Sequence, residues 1–171
     1  MPTEYILAYH CAPAFAGIKP SNIASCSKRE NPNITVQIKM LNEKLNKNDI
    51  YIDVLCECGE RVLLMVYRKQ KLCEYLQIDD IKSFLCDNGY PKEFSLMKYL
   101  AILKSRIYAQ RLMNKEFPHE IGAFLGYPLH DIYGFINHKH QGCLLTGEWK
   151  VYENTEQAKN YSVVIINAVR Q

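Results

Sequence analysis

Two neighbouring residues near the start of the chain, His10 and Cys11, have side chains that can act in nucleophilic catalysis. The thiolate is the reactive form of cysteine, and a nearby imidazolium or helix end lowers the pKa of the thiol. Because adjacent side chains often point apart, the base for Cys11 would come from elsewhere, and His119 with its neighbour Glu120 is the candidate. The alternative is a buried cysteine packed as a small apolar residue, beside a histidine that hydrogen-bonds to backbone.

Metal ligation is the second chemistry that these residue types allow. His119-Glu120 does not open an HExxH motif, because position 123 is alanine, and the pair also suits a helix start, where Glu120 favours the helix dipole. Other possible ligands form only half-sites, since structural zinc normally uses two spaced pairs of cysteines or histidines. These half-sites are Cys56 with Cys58, and His138 and His140 with Cys143. The sequence therefore identifies no particular metal or cofactor.

Two lysine or arginine residues that follow apolar segments, Lys19 and Arg68, are candidates for holding an anionic ligand. The alternative for each is a solvated cation at the end of a strand or loop. The chain has no GxxxxGK[ST] phosphate loop, and the spacing of its glycines does not fit a dinucleotide-binding turn.

Residues 119–138 match a helix-turn-helix pattern with Gly126 as the turn glycine, and the preceding segment, 92–116, carries six bases and two acids. Such a segment suits phosphate contacts. The expected recognition helix, however, would expose His130, Asp131, Tyr133 and Asn137 and has no Lys or Arg before Lys139. Base readout relies on Arg, Lys, Asn and Gln, so a helical hairpin used for packing is favoured over DNA binding.

The composition of the 171-residue chain, 48% hydrophobic and 23% charged with a net charge of +3, excludes disordered, collagen-like and histone-like proteins. Its length suits one domain, residues 1–171. Seven cysteines without a recognisable secretory leader favour free thiols in a reducing cytoplasm. No apolar run approaches the 18 or so residues of a membrane-spanning helix.

The elements that must position these residues follow from hydrophobic periodicity and turn signals. Two β-prone runs within 50–68 flank a short turn containing Gly59, which predicts a hairpin whose second strand is buried on both faces. Residues 24–33 are polar and predict a loop. Helices are predicted at 34–45, 69–76, 79–86, 92–115, 119–126 and 128–138, followed by a strand at 148–152 and a last helix starting at Asn154 or Thr155. The predicted fold class is α+β, with helices packed around a small antiparallel sheet that is seeded by the 50–68 hairpin and that 148–152 can extend.

Several short segments together resemble a family of bacterial proteins, domain of unknown function 3793, found mostly in anaerobic Gram-positive bacteria. These segments include His10-Cys11-Ala12-Pro13, Asn88-Gly89-Tyr90-Pro91, Pro118-His119-Glu120-Ile121-Gly122, Phe124-Leu125-Gly126-Tyr127-Pro128 and Gly147-Glu148-Trp149-Lys150. The resemblance implies a single-domain cytoplasmic protein, carries no established activity, and points to iron or redox physiology. Its motif residues in this chain are His10, Cys11, Lys19, Arg68, His119, Glu120, Trp149 and Lys150. The chain departs from the pattern at Phe15 and near Cys143.

Three functional hypotheses follow. The first is a small-molecule or metal site, with a possible catalytic role for His10, Cys11, His119 and Glu120, and with Lys19, Arg68, Trp149 and Lys150 as ligand-binding residues. The second is a regulatory or adaptor protein that binds a partner protein, which predicts an exposed apolar patch. The third is DNA binding through 119–138. None of the three involves a membrane.

Overall fold

A three-stranded antiparallel sheet forms the centre of the fold in the computed structural model, which describes residues 1–138, 145–146, 150–151, 156 and 159. The strands are β1 (Ser21–Ser27), β2 (Ile50–Cys58) and β3 (Arg61–Arg68), and β3 lies between the other two. β2 and β3 are joined by the tight turn at Gly59, as the sequence predicts. The helices around the sheet are α1 (Thr3–His10), α2 (Ala12–Phe15), α3 (Ile34–Leu45), α4 (Lys69–Leu76), α5 (Asp79–Asp87), α6 (Leu96–Leu112), α7 (Ile121–Phe124) and α8 (Leu129–His138).

The central strand β3 is buried on both faces, which confirms the prediction from its nearly continuous apolar sequence. Side chains alternate between the two faces of a strand, so β3 contributes to two separate cores. Val62, Leu64 and Val66 pack with α1, α2 and α3 on one face. Leu63, Met65 and Tyr67 pack with α4 to α8 on the other. The fold is therefore α+β, as predicted, with a helical layer on each side of the sheet.

The edge strand β2 is protected by a side chain of the neighbouring helix α3. The Asn42 amide nitrogen donates to the Ile52 carbonyl, and the Ile52 N–H donates to the Asn42 amide oxygen, both at 2.8 Å. Asn42 therefore satisfies the same backbone groups that an added strand would bind.

Two predictions about strands are wrong. Residues 24–33 do not form one loop, since β1 runs from Ser21 to Ser27 and pairs along its whole length with β3. The small, polar residues of β1 do not show the apolar alternation that predicts a strand. Of the predicted strand 148–152, the described residues do not extend the main sheet: β5 (Lys150–Val151) pairs with β4 (Leu145–Thr146). The predicted last helix lies outside the described residues except for Glu156 and Lys159, which are helical.

Helix boundaries also differ from those predicted. α6 begins after Ser95, whose hydroxyl oxygen accepts a hydrogen bond from the Lys98 N–H at 3.4 Å, so it is shorter than the predicted 92–115. The predicted helix 119–126 is reduced to the single turn α7. Within the described ranges, no helix is long and apolar enough to cross a membrane.

The turn between α7 and α8 generates a prediction about stability. Gly126 has φ +77°, and a Cβ there would lie 2.7 Å from Cδ of Pro20. Gly59 has φ +54° with no heavy atom within 4 Å of such a Cβ. Gly126→Ala therefore combines backbone strain with a steric clash, and we expect it to lower the free energy of unfolding by about 2–4 kcal/mol.

Gly59→Ala is the matched control, because it introduces backbone strain alone, and we expect a loss of about 1–2 kcal/mol. Urea unfolding followed by circular dichroism measures both values. Equal losses for the two variants would contradict the close packing of Gly126 against Pro20.

Candidate functional site

The segment before α7 and one side of α8 enclose a pocket of about 380 Å³. Most of its walls are aromatic or aliphatic, and the side chains of a glutamate, a histidine and an aspartate also reach it. Within the described part of the chain the lining residues are Glu116, Phe117, Pro118, His119, Ile121, Gly122, Tyr127, Asp131, Ile132 and Phe135.

A glycine allows the two walls of this pocket to approach each other. A Cβ on Gly122 would lie 3.0 Å from Cγ1 of Ile132 and 3.4 Å from the Tyr127 ring. The absence of a side chain at Gly122 therefore permits close packing of α7 against α8. In the structure the helix-turn-helix pattern forms a helical hairpin beside a pocket.

His119 lies in the pocket wall, where it is half-buried. Its ring meets Phe135 edge-on, with 5.3 Å between the ring centroids. An imidazole can donate or accept a hydrogen bond, so His119 brings polar chemistry to a largely apolar wall.

Glu120, the neighbour of His119, is the buried partner in an ion pair with Arg106, which is partly exposed. Its side chain is 7% exposed, and its Oε1 accepts a hydrogen bond from Arg106 Nη1 at 2.7 Å and from the Tyr90 hydroxyl at 3.4 Å. Arg106 also donates to the Asn88 carbonyl at 2.5 Å and lies over the Tyr90 ring, 4.9 Å from its centroid. Burial, and next the Glu120 carboxylate, raise the pKa of Tyr90. These contacts fix the start of the pocket wall to α6.

His10 and Cys11 lie in another layer of the fold. His10 is exposed and meets the Tyr9 ring edge-on, whereas Cys11 is 0% exposed in the core between the sheet and α1 to α3. Burial, and next the nearby Cys26, raise the pKa of the Cys11 thiol to about 12, although Lys19 acts in the opposite direction. At neutral pH the thiol is therefore protonated, which is not the nucleophilic form.

The structure places the two predicted catalytic pairs on different sides of the sheet. Cys11 packs in the cluster with α1 to α3, and Glu120 bonds to Tyr90, which belongs to the cluster with α4 to α8. Among the residues whose positions are described, no three His, Cys, Asp or Glu side chains form a group that could hold a metal ion.

The predicted anion-binding cations, Lys19 and Arg68, contact groups of the protein itself. Arg68 donates to the carbonyls of Ala14, at 3.1 Å, and Phe15, at the C-terminal end of α2. Lys19 is 1% exposed, and its ammonium lies 4.8 Å from the centroid of the Tyr127 ring, which lines the pocket. Trp149 lies outside the described residues, and Lys150 is described only as part of β5.

Asp131 lines the pocket, and the prediction that it is exposed on a recognition helix is wrong. Its side chain is 3% exposed, and His130 Nε2 lies 3.6 Å from its Oδ1. Phe117, Tyr127 and Phe135 were also missed as lining residues. The concentration of aromatic residues between 117 and 135 is the sequence signal that could have found them.

The fold and site together define a layered α+β protein with a largely apolar pocket beside a helical hairpin. The model of the family described as Protein of unknown function (DUF3793) matches residues 7–167, and the chain belongs to this family. No curated protein and no solved structure matches the chain.

The buried position of Cys11 generates a prediction about thiol reactivity. In native protein at pH 8, we expect the disulfide reagent DTNB to modify exposed Cys58 and to leave Cys11 unmodified, because burial keeps Cys11 both protonated and inaccessible. Mass spectrometry of tryptic peptides identifies the modified sites, and labelling in guanidinium is the control. Modification of Cys11 at the rate of Cys58 would contradict its burial.

The same thiol affects stability at alkaline pH. Its pKa rises from 9.0 to about 12 on folding, so its contribution is complete below about pH 9 and is lost as the pH rises towards 12. Cys11→Ala should therefore make the alkaline decline in unfolding free energy shallower. An unchanged slope in urea titrations from pH 8 to 11 would be inconsistent with the raised pKa.

The ion pair between Glu120 and Arg106 generates a separate prediction. We expect Glu120→Gln to lower the free energy of unfolding by about 1–3 kcal/mol, because the Arg106 guanidinium loses its buried countercharge. The control is Glu57→Gln, which breaks the solvent-exposed pair with Lys28 (2.7 Å) and should cost less than about 1 kcal/mol. Chemical unfolding of both variants measures the difference, and equal losses would mean that Glu120 has no special structural role.

Proposed function

We propose that the chain binds a small, ring-containing molecule in the pocket between the 116–122 segment and α8. The observation that carries this proposal is the pocket itself, whose volume of about 380 Å³ lies within the ordinary range for small-molecule sites. Such sites combine apolar walls with a few polar groups that orient the ligand, which is the composition found here.

The residues of the pocket define the class of ligand. Phe117, Tyr127 and Phe135 provide aromatic surface for an apolar ring. His119 provides a hydrogen bond for one polar group on that ring, and the edge-on contact with Phe135 orients its imidazole. The proposed ligand is therefore a compact ring with one hydroxyl or similar substituent.

The contacts of the other predicted residues favour binding over Cys-His catalysis. Cys11 is a neutral, buried thiol, and Glu120 bonds to Arg106 and Tyr90. If the pocket supports a reaction, His119 is the residue that would transfer a proton. The described residues offer no support for the iron or other metal site of the first hypothesis.

Binding of a partner protein is a second candidate function, because α6 exposes large apolar side chains. DNA binding has less support. α7 is a single turn and Asp131 is buried. Two bases of the 92–116 segment also form ion pairs within the chain, Lys104 with Asp53 and Arg106 with Glu120.

Binding to the pocket can be tested with 2-naphthol and naphthalene, which share one ring system and differ by a hydroxyl group. We expect both probes to shift the amide signals of the lining residues in ¹H–¹⁵N NMR spectra. His119→Phe keeps an aromatic ring beside Phe135 but removes the hydrogen bond. This substitution should lower the affinity for 2-naphthol by about 2- to 10-fold and leave the affinity for naphthalene unchanged.

Ile121→Trp fills the pocket and should abolish the shifts from both probes. Asn137→Ala is the control, because Asn137 is exposed on α8 and does not line the pocket. Unchanged signals outside the pocket establish that each variant is folded. The proposal is wrong if neither probe shifts the lining residues, or if the Trp variant binds like the native chain.

A further inference from the structure

The exposed side of α6 has an unusual composition for a surface helix. Met97, Tyr108 and Leu112 are 80%, 56% and 69% exposed, and their spacing places them on one side of the helix together with Ala101 and Ser105. We call these five residues the α6 face. The opposite side of α6 is formed by Tyr99, Leu103 and Ile107, which are fully buried in the core.

A helix that is apolar on two sides normally has a partner on each. The core covers one side of α6, whereas the large side chains of the α6 face are in solvent. Large apolar side chains that are exposed on one side of a helix favour association with a partner.

Basic side chains border the α6 face on both sides. Helical spacing places Lys104 and Arg111 along one side and Lys98 along the other. Lys104 is held 3.4 Å from Asp53, and the Arg111 guanidinium lies 5.7 Å from the centroid of the Phe117 ring. Residues 94–115 contain five bases and no Asp or Glu.

We propose that the α6 face docks an amphipathic helix of another protein, with apolar residues along its centre and acidic residues along its borders. The proposal rests on the second candidate function above and is independent of the pocket. Apolar residues of the partner would cover Met97, Tyr108 and Leu112, and its carboxylates would face the bordering bases. Docking of this kind uses apolar contacts for affinity and charge for partner choice.

The charge and shape of the α6 face favour an acidic amphipathic helix over two other occupants, a second copy of the chain and an anionic membrane. A second copy of the chain would bring two α6 helices together, and each has bases without acids over 94–115. An anionic membrane would match the charge, but interfacial helices insert large apolar residues along their length. The middle of the α6 face is Ala101 and Ser105, whose small side chains leave room for those of a packed helix.

Three synthetic helical peptides test the proposal. All carry the same leucines at i, i+3, i+4 and i+7, and their flanking positions are all Glu, all Gln or all Lys. By fluorescence anisotropy with the full chain, we expect the Glu peptide to bind at least about 10-fold more tightly than the Gln peptide, and the Lys peptide more weakly still. Added salt should weaken binding of the Glu peptide and reduce its advantage over the Gln peptide.

Variants identify the surface that binds. Leu112→Ala and Lys98→Glu should each weaken binding of the Glu peptide. Val36→Ala, on the exposed face of α3, should leave that binding unchanged. Equal binding of the three peptides, or equal effects of the Leu112 and Val36 variants, would overturn the proposal. Leu112→Ala should leave 2-naphthol binding unchanged, so the pocket and the α6 face can fail separately.

Two further outcomes would assign the face to another occupant and also overturn the proposal. One is a dimer in sedimentation experiments that Leu112→Ala dissociates. The other is binding to phosphatidylglycerol vesicles, stronger than binding to the Glu peptide, that the same substitution removes.

Discussion

The burial of β3 on both faces is the constraint on which the rest of the structure depends. A strand between two others has its backbone groups paired on both sides, and alternating apolar side chains then require cover above and below. The helices before β2 cover one face and those after β3 cover the other. Cys11 therefore packs on one side of the sheet, and Tyr90, which bonds to Glu120, packs on the other. The His10-Cys11 and His119-Glu120 motifs consequently have different environments.

The start of β1 connects the sheet to the pocket. The Ser21 hydroxyl donates to the Phe124 carbonyl at 2.7 Å, Pro20 packs against Gly126, and the Lys19 ammonium lies over the Tyr127 ring. Arg68, at the end of β3, bonds to the carbonyls of Ala14 and Phe15 on the other side of the same segment. Lys19 therefore contacts the helical hairpin, whereas Arg68 binds the end of α2 to the end of β3.

Local patterns predicted the hairpin, the doubly buried strand, α3 and α4 from sequence, because periodicity and turn residues determine them directly. β1 was missed because its Ser and Cys residues have little apolar alternation, and its pairing with β3 depends on a strand some forty positions away. The pocket was only partly predictable for the same reason. His119 was identified by its residue type, whereas the burial of Asp131 depends on how α8 packs.

The basic segment 92–116 shows how packing changes the meaning of a charge pattern. In the sequence its bases are equivalent, and they suit phosphate contacts. In the structure Arg106 neutralises Glu120, Lys104 pairs with Asp53 at the border of the exposed face, and Lys98 is exposed on the other border. The remaining positive charge therefore borders an apolar surface. If a helix docks there as proposed, that charge would select partners by the charges around their apolar residues.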